Sequence, residues 1–352
     1  MQQPLPTYSS RLMRNADFSV PFCPDIFLYL TIWRNTYMKS ALKTTNTYGK
    51  SAKKNKNKKA IQCYALLSIQ LIGLVLLSFY PVVWALRWAF YYYTGVPSET
   101  HFVGFDNFIN LFANDTMYFQ SWLTTIKFTL IKLPIEFAIA LFVAVCLNNE
   151  LIKGKTMFRS IYFFPTMVAV SITAVVFSNL FDFFGFINAF LKNVGIIKVP
   201  IDWISNKNSA MAFLVITSIW ANIGTNILYF VAALQNVPND LYEAAKIDGA
   251  SRWTMFYKVT LPMIAPVMQI VLLLGINGTL QTGEFVVLLT NGAPGGETLT
   301  VLAHIIKSYL PGFTKGTINI GYGATLSFVT SLILCVVGIG YMKLSDKLKN
   351  MY

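Results

Sequence analysis

The sequence predicts an all-α, polytopic membrane helix bundle with six transmembrane helices. Three observations point there: too little charge for a water-soluble surface, six apolar stretches of spanning length, and a one-sided distribution of Lys and Arg. Of 352 residues, 55% are apolar and 12% are charged, where an ordinary soluble domain carries roughly a quarter charged residues. Such a chain cannot coat a globule of its size in water and must be solvated mostly by lipid. The net charge of +13 then bears on which side of the bilayer holds the cations, and does not require a nucleic-acid partner.

A helix needs about 20 apolar residues to cross the hydrocarbon. Ile61–Leu86, Trp122–Leu147, Ile161–Leu180, Met211–Leu234, Met263–Leu280 and Ala324–Met342 meet that length, whereas 26–33 follows Pro21, Pro24 and Asp25 and is too short to span. Residues 1–60 carry eleven Lys or Arg, the connections 148–160 and 235–262 three each, and the C-terminal tail three. The opposite side holds six and the second span two, so both termini are expected in the cytoplasm. The run Lys50–Lys59 reads as a topology anchor, with binding of anionic lipid or of nucleic acid the other readings. Met38 precedes the basic run, which raises the expectation that translation starts there and that residues 1–37 are not expressed. No single apolar core with a small-residue cleavage site marks a signal peptide.

Chemistry of its own is not expected of this chain. Cys23, Cys63, Cys146 and Cys335 are far apart, and with His101 and His304 the only histidines no metal ligand set is expected. They read as small apolar filler. Two fragments, Gly49-Lys50-Ser51 and Gly154-Lys155-Thr156, have the end of a phosphate-binding loop. The upstream Gly that such a loop needs is replaced by Thr44 and Asn149, so neither is expected to cradle phosphate.

The connection between the fourth and fifth spans, 236–262, carries the strongest pattern. It reads as helix, turn, helix. Asp240 is placed to cap the first helix with Glu243 reaching back, Asp248-Gly249 supplies a left-handed exit, and Ser251 caps the second helix. Thr260 then precedes Leu261-Pro262, where a Pro in a first turn is tolerated. Leu241, Ala244 and Ala245 share a face on which two alanines permit close approach of another protein, with Glu243 beside it. A plain surface hairpin is the alternative.

The run EAAKIDGASRWTMFYKVTLP resembles the EAA loop of the permease subunits of type I ABC importers. Glu243, Ala244, Ala245, Gly249, Leu261 and Pro262 stand at that motif's spacing, in a connection between two spans. Phe102-Val103-Gly104-Phe105-Asp106-Asn107-Phe108, Phe158-Arg159 with Phe163-Phe164-Pro165, Trp220, Ala232-Ala233-Leu234-Gln235, and Leu289-Thr290 with Gly292 are similar to elements of the carbohydrate-uptake branch, the maltose and multiple-sugar type. The sequence departs at Asn291-Gly292-Ala293-Pro294, where the family often has Gly-Gly-Pro. The resemblance covers roughly 61–345. It implies a MetI-like transmembrane domain over 121–342 with the coupling loop at 236–262, preceded by a basic tail (1–60) and a first helix with outer loop (61–120), and followed by a tail at 343–352. It further implies a coupling set of Glu243, Ala244, Ala245, Asp248, Gly249, Leu261 and Pro262. The partners it implies are a cytoplasmic ABC ATPase, a second permease subunit in a heterodimer, and an extracellular solute-binding protein, in the plasma membrane and without a cofactor.

All three charges in the six spans lie in the second: Lys127, Lys132 and Glu136. Lys132 and Glu136 are four apart and so share a face, either as an internal ion pair or as a lining of the pathway, while Lys127 can snorkel to the outer end. Pro134 between them should bend the helix. Asn222, Thr225 and Asn226 in the fourth span and Gln269, Asn277 and Thr279 in the fifth are neutral hydrogen-bonding groups. They suit sugar hydroxyls and equally suit interhelical contacts. The expected function is inward passage of an oligosaccharide. The alternatives are an importer of the same architecture for an amino acid, phosphate or polyamine, an ion-driven transporter, which would be expected to show internal repeats, and a membrane-embedded enzyme, for which no triad-like grouping is present.

Overall fold

The computed structural model describes residues 62, 64–65, 67–148, 154–314 and 318–349. The basic tail, Met38, the stretch 26–33, Cys23, Cys63 and the fragment at 49–51 lie outside the described residues. The chain divides into two compact units, 1–80 and 81–352. The first candidate span, α1 (Leu67–Trp88), has 22 residues and none of its apolar window buried. At a rise of about 1.5 Å per residue this length crosses the hydrocarbon.

In the second unit a small antiparallel pair follows, β1 (Tyr91–Tyr92) and β2 (His101–Phe102). Gly104, at φ +58°, turns the chain out of β2 and into α2 (Asp106–Asn114). The Asn107 side chain donates to the carbonyls of Ala89 (2.9 Å) and Tyr91 (3.1 Å). That clip, buried at 7% exposure, satisfies two backbone acceptors that the short pair leaves open. It accounts physically for the Asn of the 102–108 element.

The second span, α3 (Thr116–Asn148), runs 33 residues and passes through Pro134 as one helix. Ser121, Thr125 and Thr129 each return their hydroxyl to the carbonyl one turn back, which satisfies these three hydroxyls in an apolar setting. The third span differs from expectation. The single helix expected over Ile161–Leu180 is two helices, α4 (Lys155–Met167) and α5 (Val170–Leu180), meeting at 97°. Pro165 has no N–H to offer the preceding turn, the Thr166 hydroxyl takes the Phe163 carbonyl at 2.7 Å, and Val168 and Ala169 leave the helix in extended conformation. A hydropathy window averages over one Pro, so nothing in the apolar run announces the break.

A short helix, α6 (Phe186–Asn193), leads to the fourth span, α7 (Lys207–Gln235). The hairpin helix α8 (Asn239–Ile247) follows, then α9 over Arg252–Leu280 as the fifth span. Two short helices, α10 (Glu284–Leu289) and α11 (Val301–Tyr309), precede the sixth span, α12 (Ile320–Lys349). Cys146 on α3 and Cys335 on α12 are free thiols.

The helices pack through small residues. One core cluster joins Ala140 and Ala144 of α3 to Ile227, Phe230 and Leu234 of α7 and Ile264 and Val271 of α9. A Cβ on Gly224 would run into the Tyr162 carbonyl of α4, and one on Gly275 would come within 2.5 Å of Leu133 Cδ1. In lipid, such close backbone approach is what dispersion and polar contacts need to hold helices together. Gly224→Leu should therefore separate α4 from α7 and cost about 1–3 kcal/mol. A thermal melt of the purified protein in detergent checks this, and an unchanged midpoint would contradict the packing described.

Candidate functional site

The hairpin between the fourth and fifth spans forms as two helices with a tight turn. Asp240 does not cap α8, contrary to expectation. The cap position is Pro238, whose fixed φ starts the helix at Asn239 with no side-chain cap, so Asp240 and Glu243 fall inside it. There the Asp240 charge still favours the positive end of the helix. The exit is as expected: Gly249 takes φ +74°, Ala250 N–H donates to the Ala245 carbonyl at 2.9 Å and Gly249 N–H to Lys246 at 3.0 Å. These two bonds make a Schellman termination. Ser251 Oγ then accepts from Thr254 N–H at 3.2 Å, capping the next helix as expected.

No new helix begins at Leu261-Pro262. Arg252–Leu280 is one continuous rod, with a π-helical turn at Phe256–Thr260 in which Leu261 N–H reaches back to Phe256. Pro262 cannot donate to the carbonyl of Lys258, and the widened turn absorbs that loss without ending the helix. Leu261 packs against the core beside Tyr242, while Glu243, Ala244, Asp248 and Pro262 are exposed and Ala245 is half-buried. Ile247 and Trp253 were not singled out from the sequence, yet they stand 87% and 72% exposed. Apolar groups so exposed on a hairpin rich in charge mark a surface for another protein. The signal available was their place on either side of Gly249.

Within the spans, two expected residues meet directly. Lys132 Nζ lies 3.1 Å from Glu136 Oε2 with both side chains almost fully buried. Asn226 Nδ2 of α7 donates to the other carboxylate oxygen at 2.8 Å. The pair is thus an internal, hydrogen-bonded lock between α3 and α7, while Lys127 is exposed.

Asn222, one turn from Asn226, lines a cavity of about 270 Å³ at the break of the third span. Thr166, Thr173, Ser218, Gln281 and Thr282 also line it, and Glu284 is the charged group there. The non-helical residue Val168 lines this cavity, in keeping with the rule that irregular backbone at membrane depth borders a cavity or protein. Thr225 is half-buried on α7. Gln269 is engaged by α12, accepting from Ser345 Oγ at 2.8 Å through Oε1 and from Tyr341 OH at 2.7 Å through its backbone. Asn277 borders a separate groove of about 620 Å³ beside Ser327, Thr330 and Ser331. Thr279 is fully buried and returns its hydroxyl to the Gly275 carbonyl at 2.6 Å.

At the end of the bundle remote in sequence from the hairpin, Asn291 and Gly292 adopt φ +50° and +79°. Lys307 Nζ holds the Asn291 carbonyl at 2.7 Å, and Thr290 meets Thr298 at 2.9 Å. Burial holds the His304 imidazole below its usual range and pushes the Tyr309 phenol up to about 12. Both are therefore neutral near pH 7, beside Asp115, whose carboxylate accepts from Tyr322 OH at 2.8 Å.

Removing one partner of a buried ion pair strands the other charge. Lys132→Met should cost about 3–5 kcal/mol, and the double change Lys132→Met with Glu136→Leu should recover most of it. Unfolding of the three proteins in matched detergent tests this; equal losses for single and double changes would contradict it.

Over residues 136–349 the chain matches the family described as binding-protein-dependent transport system inner membrane component. The arabinooligosaccharides transport system permease protein AraP of Bacillus subtilis is 34% identical over 259 residues, 72% of this chain and 80% of that protein. The lactose transport system permease protein LacF of Rhizobium radiobacter is 32% identical over 275 residues, 77% and 88%. Among solved structures, a chain of a bacterial ABC transporter involved in the import of the acidic polysaccharide alginate aligns with a TM-score of 0.70 at 21% identity, over 82% of this chain and 96% of that one. At that identity the likeness speaks for the fold. With candidate spans, a hairpin between the fourth and fifth of them and a family match over more than half its length, this chain is a multi-pass membrane protein that belongs to the family of binding-protein-dependent transport system inner membrane components.

Proposed function

We propose that this chain is the permease subunit of an ATP-driven ABC importer of carbohydrate, that it lines the passage, and that it takes its driving force from a separate ATPase held at the 236–262 hairpin. The observation that carries this is the hairpin itself: exposed Glu243, Ala244 and Ile247 on α8, and exposed Trp253 at the start of the helix that continues unbroken into the fifth span. A rod of about 29 residues moves as a body when pushed at one end. Glu243 offers a carboxylate to a basic residue of the ATPase. Ala244 permits close approach, and Asp248, Gly249, Leu261 and Pro262 fix the shape of the hairpin.

The excess of Lys and Arg in the tails and in the hairpin connection supports placing both termini and the hairpin in the cytoplasm. A second permease, taken to be a homologue in a heterodimer, and an extracellular solute-binding protein complete the assembly. The sugar reading is supported by relatives named for arabinooligosaccharides and lactose. The cavity at the third span agrees with it: six neutral hydrogen-bonding side chains line it, Asn222 among them, and the charged lining residue is the acid Glu284. That lining suits polyol hydroxyls better than a phosphate ester. Lys132, Glu136 and Asn226 hold the wall of the passage in place, while Thr225, Gln269 and Asn277 belong to the helices that form it.

Gly249→Val tests the coupling role. Its left-handed φ is cheap for Gly and strained for a β-branched residue, and no neighbouring atom lies within 4 Å of an added Cβ, so the change alters the turn without crowding the bundle. Uptake of sugar into cells should fall to background while the amount of protein in the membrane stays at the wild-type level. Normal uptake by this variant would sink the proposal.

A further inference from the structure

We infer that Tyr242 and Thr260 form a brace that makes the cytoplasmic hairpin and the fifth span one lever, and that Tyr242 is a positioning residue for coupling. This rests on the importer reading above and goes beyond the docking motif, since neither residue belongs to it.

The chain joins α8 to the spans at its two ends only. Its N-terminal side follows the short turn 236–238, with Val237 buried in the core and no side-chain cap on the helix. Its C-terminal side ends at Gly249, around which there is open space. A hairpin fastened only at these points would tilt under load and dissipate a displacement before it reached the membrane. Tyr242 supplies the missing cross-member. Its ring packs into the core cluster shared by α3, α7 and α9, and its hydroxyl lies 3.0 Å from Thr260 Oγ1, across 18 residues of sequence. Thr260 is 6% exposed.

The place of attachment matters. Thr260 is the last residue of the π-helical turn Phe256–Thr260, the one stretch of α9 whose hydrogen bonding departs from α-helical spacing. A π turn followed by Pro262 is a compliant part of the rod. By tying α8 to that turn, the Tyr242–Thr260 bond stiffens the rod where it would otherwise flex. Motion of the hairpin then passes to Leu261 and the residues beyond it, and on toward the cavity bordered by Gln281 and Glu284. Tyr242 points into the protein side of the hairpin, whereas Glu243, Ala244 and Ile247 are exposed, so holding the ATPase and bracing the lever are tasks of different residues.

The test uses the whole transporter, isolated from the membrane with its ATPase and reconstituted in liposomes. ATP hydrolysis is measured with and without the ligand-loaded binding protein, and the ATPase that co-purifies is quantified. Tyr242→Phe and Thr260→Val each remove one hydroxyl and keep the shape; Thr260→Ser keeps the hydroxyl. The inference predicts that Tyr242→Phe and Thr260→Val each lower the stimulation by binding protein about fivefold, the worth of one buried hydrogen bond. Co-purified ATPase should stay at wild-type amount, Thr260→Ser should stay near wild type, and the double variant should be no worse than either single. Wild-type stimulation in both single variants would overturn the brace. So would loss of ATPase from the variants alone, which would make Tyr242 part of the docking surface. Absence of any ATPase from the wild-type preparation would instead overturn the importer reading.

Discussion

A charge buried in hydrocarbon must find its counter-charge inside the protein, and among the described residues of the spans Lys132, Glu136 and Asn226 meet that demand. The salt bridge lies within α3, but the hydrogen bond from Asn226 crosses to α7, so the cost of burying the ions is offset only when the two helices hold one register. Around this fixed point the small residues Ala140, Ala144 and Gly224 let the neighbouring helices close up. The second and fourth spans are thereby held against each other by both polar and close-packed contacts.

The fifth span has the opposite character. It is continuous from the hairpin to Leu280, it carries no charged residue between Thr260 and Leu280, and two of its polar side chains, Thr279 and Gln269, are turned to its own backbone and to α12. The third span is broken where the second and fourth are whole, and the break borders the cavity that Gln281, Thr282 and Glu284 close from beyond the fifth span. A rigid rod ending beside a broken helix is an arrangement in which a push at one end changes the shape of a cavity at the other. The proposed coupling of hairpin to cavity rests on where the backbone is stiff and where it is not.

Much of this was legible in the sequence. Six apolar lengths gave the spans, because spanning length is fixed by the bilayer and needs no tertiary information. Gly249 and Ser251 gave the turn, because left-handed geometry and capping are local. Three features were hidden for physical reasons. The third span turns at Val168 and Ala169, just past Pro165, while Pro165 and Pro134 both lie inside their helices, so the position of a Pro does not by itself mark where a membrane helix ends. Leu261-Pro262 reads as a helix start, but the π turn before it carries the helix through. The contacts of Asn226 and Tyr242 reach across 90 and 18 residues, separations over which no spacing rule operates. At the N-terminus of α8, the fixed backbone of Pro238 set the helix start ahead of the better side-chain cap at Asp240.

The central claim is that the hairpin is where a separate motor holds this bundle. Single cysteines at Ala244, Ile247 and Trp253, with a control at Asn291 in the turn beyond the fifth span, can be crosslinked in intact cells and the captured proteins identified. The account predicts that the three hairpin positions trap one and the same ATP-hydrolysing protein and that the control does not. Crosslinks at the hairpin that yield no such protein, in cells that still import sugar, would contradict it.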